Sequence, residues 1–139
     1  MRKIFAVPQA STNYNIAIVI LRLVAGIAMM QHGWGKIQNP LGWKGDDSNI
    51  PAVLQALAAV SEFFGGLFVA LGLLTPLAAF GVLCTMAYAT YKHAILNGDP
   101  FVGRPSYELA LIYFSIMLLV LLAGAGKFSV DNVLFGRRK

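Results

Sequence analysis

Along the chain, apolar stretches long enough to cross a bilayer alternate with short polar ones. A helix needs about 20 predominantly apolar residues to traverse the hydrocarbon core. Four stretches qualify, over residues 16–37, 51–74, 76–96 and 106–125. Strands that do not close into a barrel leave backbone groups without partners in lipid, so each stretch is expected as a helix. The connectors are short: QNPLGWKGDDSN after the first, almost nothing between the second and third, and NGDPFVGRP before the fourth. Thr75-Pro76 turns the chain, with Pro76 suited to the first turn of a helix. Short loops make neighbouring helices antiparallel, so the pattern predicts an all-α fold, an integral membrane antiparallel four-helix bundle. Residues 1–139 are expected to form a single membrane domain. Gly26, Gly33, Gly65, Gly66, Gly72 and Gly81 lie in or beside these stretches and read as points of close helix approach.

Composition agrees with a lipid environment. The 139-residue chain is 58% hydrophobic and only 12% charged, with a mean hydropathy of +0.67. Soluble domains carry roughly a quarter charged residues. The net charge of +5 comes from bases at the two termini and between apolar segments, not from a groove-lining patch. Membrane topology explains that distribution better than nucleic-acid binding, which is set aside. Arg2 and Lys3 at one terminus and Lys127, Arg137, Arg138 and Lys139 at the other put both termini in the cytoplasm by the positive-inside rule. The expected location is the cell (inner) membrane, multi-pass, with Asp46, Asp47 and Asp99 offsetting the bases of the outward loops. Trp34, Trp43, Tyr91 and Tyr107 then fall near the outer interface. The apolar run that opens the chain is too short for a cleaved signal peptide. Cys84 is the single cysteine, so there is neither an intramolecular disulfide nor a Cys-x-x-Cys pair, and its expected role is buried packing.

Ionisable residues inside spans carry more information, because each costs a few kcal/mol unless it pairs or lines a cavity. At about 1.5 Å per residue, Arg22 lies roughly 10 Å from the inner end of the first span and Glu62 roughly 16 Å from the outer end of the second. In a core of about 30 Å these depths nearly coincide, which predicts an Arg22–Glu62 ion pair near the midplane. That pair could serve a site or simply lock two helices together. On the first span Arg22, Met29 and Lys36 recur at seven-residue intervals, with Gly26 and Gly33 on the same face and His32 on its flank. His32, Lys36, Lys92, His93 and Glu108, with Gln31, Tyr88 and Tyr107 nearby, gather toward the outer end. Taken singly, Lys36 and Lys92 read as lysines snorkelling to the interface. Taken together, His32, His93 and Glu108 suggest a polar cavity opening outward between helices. Two histidines on different helices could also ligate haem iron, the weaker alternative, and no metal site is assigned. Gly124-Ala125-Gly126-Lys127 is no phosphate loop: Leu121 stands where its first glycine belongs and Phe128 where Ser or Thr belongs. It reads as a helix stop.

The stretches LRLVAGIAMMQHGWGKI, EFFGGLFVALGLLTPLAAF and YELALIYFSIMLLVLLAGAGKFSVD together resemble the DoxX family of small bacterial and archaeal membrane proteins. The likeness runs from about Asn15 to Asp131 and rests on several motifs in combination. These are a Leu-Arg start, His-Gly-x-x-Lys closing the first span, Glu-x-x-Gly-Gly in the second, and Leu-Gly-Leu-Leu-Thr before the third. Glu-Leu-Ala opens the fourth span and Gly-x-Gly-Lys-x-Ser-x-Asp closes it. The resemblance implies characteristic polar positions at Arg22, His32, Lys36, Glu62 and Glu108. It also implies a quinone-linked component of a membrane oxidoreductase system, since the family is called after a subunit of a thiosulfate:quinone oxidoreductase. With His93 added from the residue pattern, the ligand-binding candidates are Arg22, His32, Lys36, Glu62, His93 and Glu108, with quinone as the cofactor. The expected partners are membrane lipid, redox subunits that supply electrons, and a second copy of the chain. The alternative is a non-enzymatic membrane module that binds a lipid-like or anionic ligand or scaffolds a partner complex.

Overall fold

The computed structural model describes residues 10–45 and 49–136, and these contain helices and turns but no strand. Five helices follow in order. The first, α1, spans Thr12–Ile37, and α2 spans Ala52–Leu71. Next come α3, Thr75–Tyr91, which continues as a π-helical turn over Lys92–Leu96, then α4, Glu108–Ala123, and the short α5, Val130–Phe135. The expected segments at 16–37, 51–74, 76–96 and 106–125 therefore carry helices with ends shifted by up to four residues. Arg2, Lys3, Asp46, Asp47, Arg137, Arg138 and Lys139, which bear on the expected orientation, lie outside the described residues.

Local chemistry sets the helix ends. Ser11 caps α1, its hydroxyl accepting from the Tyr14 backbone N–H at 3.3 Å, which satisfies one of the free donors of the first turn. Gly72 closes α2 with φ +68, a conformation that costs little without a side chain. At the start of α3, Leu74 occupies φ +45 and supplies no side-chain cap. The cap comes from far along the chain: the Asp131 carboxylate accepts from Leu74 N at 2.7 Å and Thr75 N at 2.8 Å. Gly124 ends α4, so the Gly-Ala-Gly-Lys segment is a helix stop.

Contacts between distant residues show that α1 runs antiparallel to α2 and α4, and α2 antiparallel to α3. A Cβ on Gly26 would stand 2.6 Å from backbone atoms of Gly66 and Ala70, and one on Gly33 only 2.5 Å from Phe63 N. The glycines thus let α1 and α2 meet backbone to backbone. Ser61 and Thr85 hydroxyls bond at 2.6 Å between α2 and α3. Tyr14 OH donates to Ala123 O at 2.7 Å, joining the start of α1 to the end of α4. The core between the helices is built from Ala25, Met29, Val69, Ala78, Ala79, Val82, Met86, Met117 and Val120. Outward-facing positions are also apolar, with Val24, Leu57, Leu77 and Leu122 each at least 60% exposed. Two helices, α1 and α2, are long and apolar enough by themselves to cross a membrane, and α4 is a shorter apolar helix.

Candidate functional site

Both π-helical turns face one cavity. The first interrupts α2 at Ser61–Gly65 and the second ends α3 at Lys92–Leu96. Such turns break the regular ladder and recur at functional sites. The cavity, of about 460 Å³, is lined by Glu62 from the first turn and by Lys92 and His93 from the second, with Lys36 of α1 completing its polar side. Leu54, Leu57 and Ala58 of α2 and Tyr88 and Ala89 of α3 form its less polar walls. Apolar walls with a few convergent polar groups are the usual composition of a small-molecule site.

Glu62 is 1% exposed, and Lys36 Nζ donates to its two oxygens at 2.5 and 2.7 Å. The same ammonium stands 4.5 Å from the centre of the Trp43 ring, whose face attracts a cation. Trp43 is fixed in turn, its Nε1–H donating to Gln55 O at 2.9 Å. Lys44 N donates to Gln55 Oε1 at 3.0 Å, and Gln55 Nε2 donates to Ile50 O at 2.9 Å. The connector after α1 is thereby pinned over the start of α2, with Trp43 forming part of the cavity wall. At the other π turn, His93 Nδ1 lies 2.6 Å from Asp99 Oδ2. Lys44 and Lys92 also line the cavity and have no carboxylate partner among the described residues. Among the described lining residues one paired carboxylate stands against three lysines, a net cationic polar side.

The structure brings three of the six candidates, Lys36, Glu62 and His93, to this cavity and leaves the others elsewhere. His32 is exposed and packs edge-on to Tyr113 at 5.8 Å. Glu108 lies in the first turn of α4 and does not line the cavity. The two histidines therefore do not line one cavity. Gln31 and Tyr107 also stand apart, Tyr107 packing against Phe101 at 5.3 Å. Lys36 does not snorkel away but turns down onto Glu62. Cys84 is exposed and lines the cavity instead of filling the core.

The expected Arg22–Glu62 pair does not form. Arg22, 2% exposed, donates through Nη1 to Ala125 O and through Nη2 to Phe128 O at 3.0 Å. After Gly124 the chain turns back beneath the helices, so carbonyls fill the place where a carboxylate was expected. Asn15 joins the arrangement, accepting from Lys127 N at 2.7 Å and donating to Ser11 O at 2.8 Å. Sequence reasoning missed Asn15, Gln55, Asp99 and Asp131 as buried or bridging groups. For Asp131 a signal was present, since it ends the Gly-x-Gly-Lys-x-Ser-x-Asp motif. Ser129 in that motif caps α5 by accepting from Asn132 N at 3.1 Å.

Comparison with known proteins agrees with these motifs. The DoxX family model matches residues 17–94, more than half of the chain, and covers Arg22, Lys36, Glu62 and His93. An "Uncharacterized protein" of Haemophilus influenzae is 31% identical over 121 residues, covering 85% of this chain and 90% of that protein. A Bacillus subtilis protein named "Putative oxidoreductase CatD" is 26% identical over 132 residues, covering 91% and 93%. "Inner membrane protein YqjF" of Escherichia coli is 27% identical over 123 residues, covering 86% and 93%. No solved structure matches the chain. With its family motifs, its apolar helices and an inner-membrane relative, the chain is a membrane protein of the DoxX family.

Proposed function

We propose that this chain is the quinone-binding membrane component of an oxidoreductase system, with the quinone head group held in the cavity between α1, α2 and α3. The observation that carries the reading is the convergence of both π turns on a cavity with largely apolar walls. Among the described residues its only carboxylate is that of Glu62, buried beneath Lys36. The residues present fit a quinone ring. Leu54, Leu57 and Tyr88 offer surfaces for its faces, while Lys36 and Lys92 offer N–H groups and His93 a ring nitrogen to its polar edge. A bound quinone would supply two-electron, two-proton chemistry. The protein's part is to exclude water, orient the ring and exchange protons at its polar edge. Electrons come from a partner redox subunit, in keeping with the oxidoreductase name carried by the Bacillus subtilis relative. In this reading the four long helices form an antiparallel bundle across the inner membrane, with both termini cytoplasmic, and outward apolar positions such as Val24 and Leu122 meet lipid or a second copy of the chain.

The test is the composition of the purified protein. The detergent-solubilised protein is expected to carry quinone in near-stoichiometric amount on solvent extraction. Glu62→Gln is expected to lose it while keeping the helical circular-dichroism signal. A wild-type preparation that retains phospholipid and no quinone overturns this reading. It favours the second one, a module for an anionic amphiphile, to which the cationic ammonium groups of Lys44 and Lys92 would be suited. A Glu62→Gln protein that unfolds as it loses quinone makes the pair a helix lock.

A further inference from the structure

The second π turn does more than add a histidine to the cavity. Asn97, Gly98 and Asp99 follow it directly, and Gly98 adopts φ +69. That turn folds the chain back so that Asp99 N donates to His93 O at 2.9 Å. The Asp99 side chain is thereby set under the imidazole six residues earlier. Its Oδ2 lies 2.6 Å from His93 Nδ1, and Asn97 Nδ2 donates to the same oxygen at 3.3 Å. The two side chains differ in access: that of Asp99 is 11% exposed and that of His93 38%. An ionised carboxylate is acceptor-only, so the proton of this contact sits on Nδ1. The other ring nitrogen, Nε2, has no protein partner among the described residues, and His93 lines the cavity.

We infer that Asp99 is a positioning residue that holds His93 in its Nδ1–H form, so that Nε2 exchanges a proton with a ring hydroxyl of a quinol-class ligand in the cavity. The inference rests on the proposed quinone reading and assigns the proton chemistry of that site. The step moves one proton and no electrons: the O–H bond of the ring hydroxyl breaks, an N–H bond forms at Nε2, and the imidazolium that results is held against the Asp99 carboxylate. The reverse step returns the proton. A carboxylate behind an imidazole fixes tautomer and orientation and stabilises the charged ring once it forms. Lys36, Lys44, Glu62, Cys84, Tyr88 and Lys92 are the other ionisable groups on the cavity wall. Of these Lys36 and Glu62 are already committed to each other, Lys44 and Lys92 as ammonium groups have no acceptor, and Cys84 and Tyr88 offer a thiol and a hydroxyl, which leaves the Nε2 lone pair of His93 to take the proton.

The experiment is a long-range proton–nitrogen correlation spectrum of the ¹⁵N-histidine-labelled full chain in nanodiscs. The sequence has only two histidines, so a His32→Gln sample assigns the signals. Without ligand, the neutral His93 ring is expected as the Nδ1–H tautomer, shifting toward Nε2–H in Asp99→Ala. Adding decylubiquinol should move the Nε2 resonance, and the pH profile of its binding should flatten in Asp99→Ala while the helical circular-dichroism signal is kept. A wild-type ring found as Nε2–H overturns the inference. Decylubiquinol that binds without changing Nε2 or the pH profile also overturns it, yet leaves quinone binding standing. Failure of decylubiquinol to bind overturns both readings, even with the Nδ1–H tautomer in place.

Discussion

Lys36→Met and Glu62→Gln remove opposite halves of one ion pair, and the structure makes their costs unequal. The Lys36 side chain is 26% exposed and the Glu62 side chain 2%. Without Lys36, the carboxylate remains in an apolar setting with no counter-charge. Removing one member of a buried pair typically costs about 3–5 kcal/mol, because the survivor is stranded. In Glu62→Gln, the ammonium can still donate to the amide oxygen of the new side chain, lie over Trp43 and reach solvent. That change loses one of two charge-assisted bonds, about 1–2 kcal/mol. The double variant strands only a neutral amide, about 1–3 kcal/mol, and should fall well below the sum of the single costs, so the coupling in the mutant cycle comes to about 2 kcal/mol or more. The assay is reversible unfolding in mixed micelles across a series of sodium dodecyl sulfate mole fractions, read by circular dichroism. Equal costs for the two single variants, or a double variant that costs their sum, would refute the argument that Glu62 depends on Lys36.

Two further substitutions probe what holds the helices in place. Asp131→Asn keeps one acceptor at the start of α3 but turns an amide NH₂ toward one of the backbone N–H groups, and Thr75 is fully buried. The same unfolding assay should show a loss of about 2–4 kcal/mol, from one charge-assisted bond and one stranded donor; a loss below about 0.5 kcal/mol rules out capping by Asp131. Gly26→Val adds apolar volume where even a Cβ would stand 2.6 Å from the backbone of α2. It should destabilise by at least about 1–3 kcal/mol in that assay, and a stabilised variant would contradict the close approach of α1 and α2.

The helices were legible because their causes are local. Uncharged runs near span length, Pro76 in a first turn and Gly124 at a stop each act within a few residues. The inward face of α1 was legible too, since Arg22, Gly26, Met29 and Gly33 are all buried. Pairing across helices was not. Matching Arg22 to Glu62 by depth treats every span as a rod that begins in the same plane. Instead α4 ends after 16 residues, about 24 Å, and the chain uses positive φ at Gly124 and Gly126 to turn back beneath α1. Two glycines announce that a helix stops, but not where the next carbonyls point. The reach of Asp131 to Leu74 and Thr75 is likewise invisible locally, because the capping residue lies 56 positions from Thr75.

The kind of partner each buried charge has chosen decides which end of the molecule is the candidate site. Where the chain turns back after α4, Arg22 holds backbone carbonyls of Ala125 and Phe128, and Asp131 holds backbone N–H groups of Leu74 and Thr75. Those partners are fixed, so neither charge can be released without opening the turn or the helix start that it secures. Among the described residues, that end leaves few buried side-chain atoms without a hydrogen bond, namely Arg22 Nε and Thr75 Oγ1. At the cavity the pairings are between side chains, Lys36 with Glu62 and His93 with Asp99. A ligand atom can approach such a pair, at His93 Nε2 or at the Lys36 ammonium, while the helices stay in place. Lys92 already waits there without a carboxylate among the described residues, and the π turns that carry Glu62 and His93 give up regular hydrogen bonding to present them. Arg22 and Asp131 therefore hold the turn and the helix start, and the proposed ligand chemistry falls to the cavity of Lys36, Glu62 and His93.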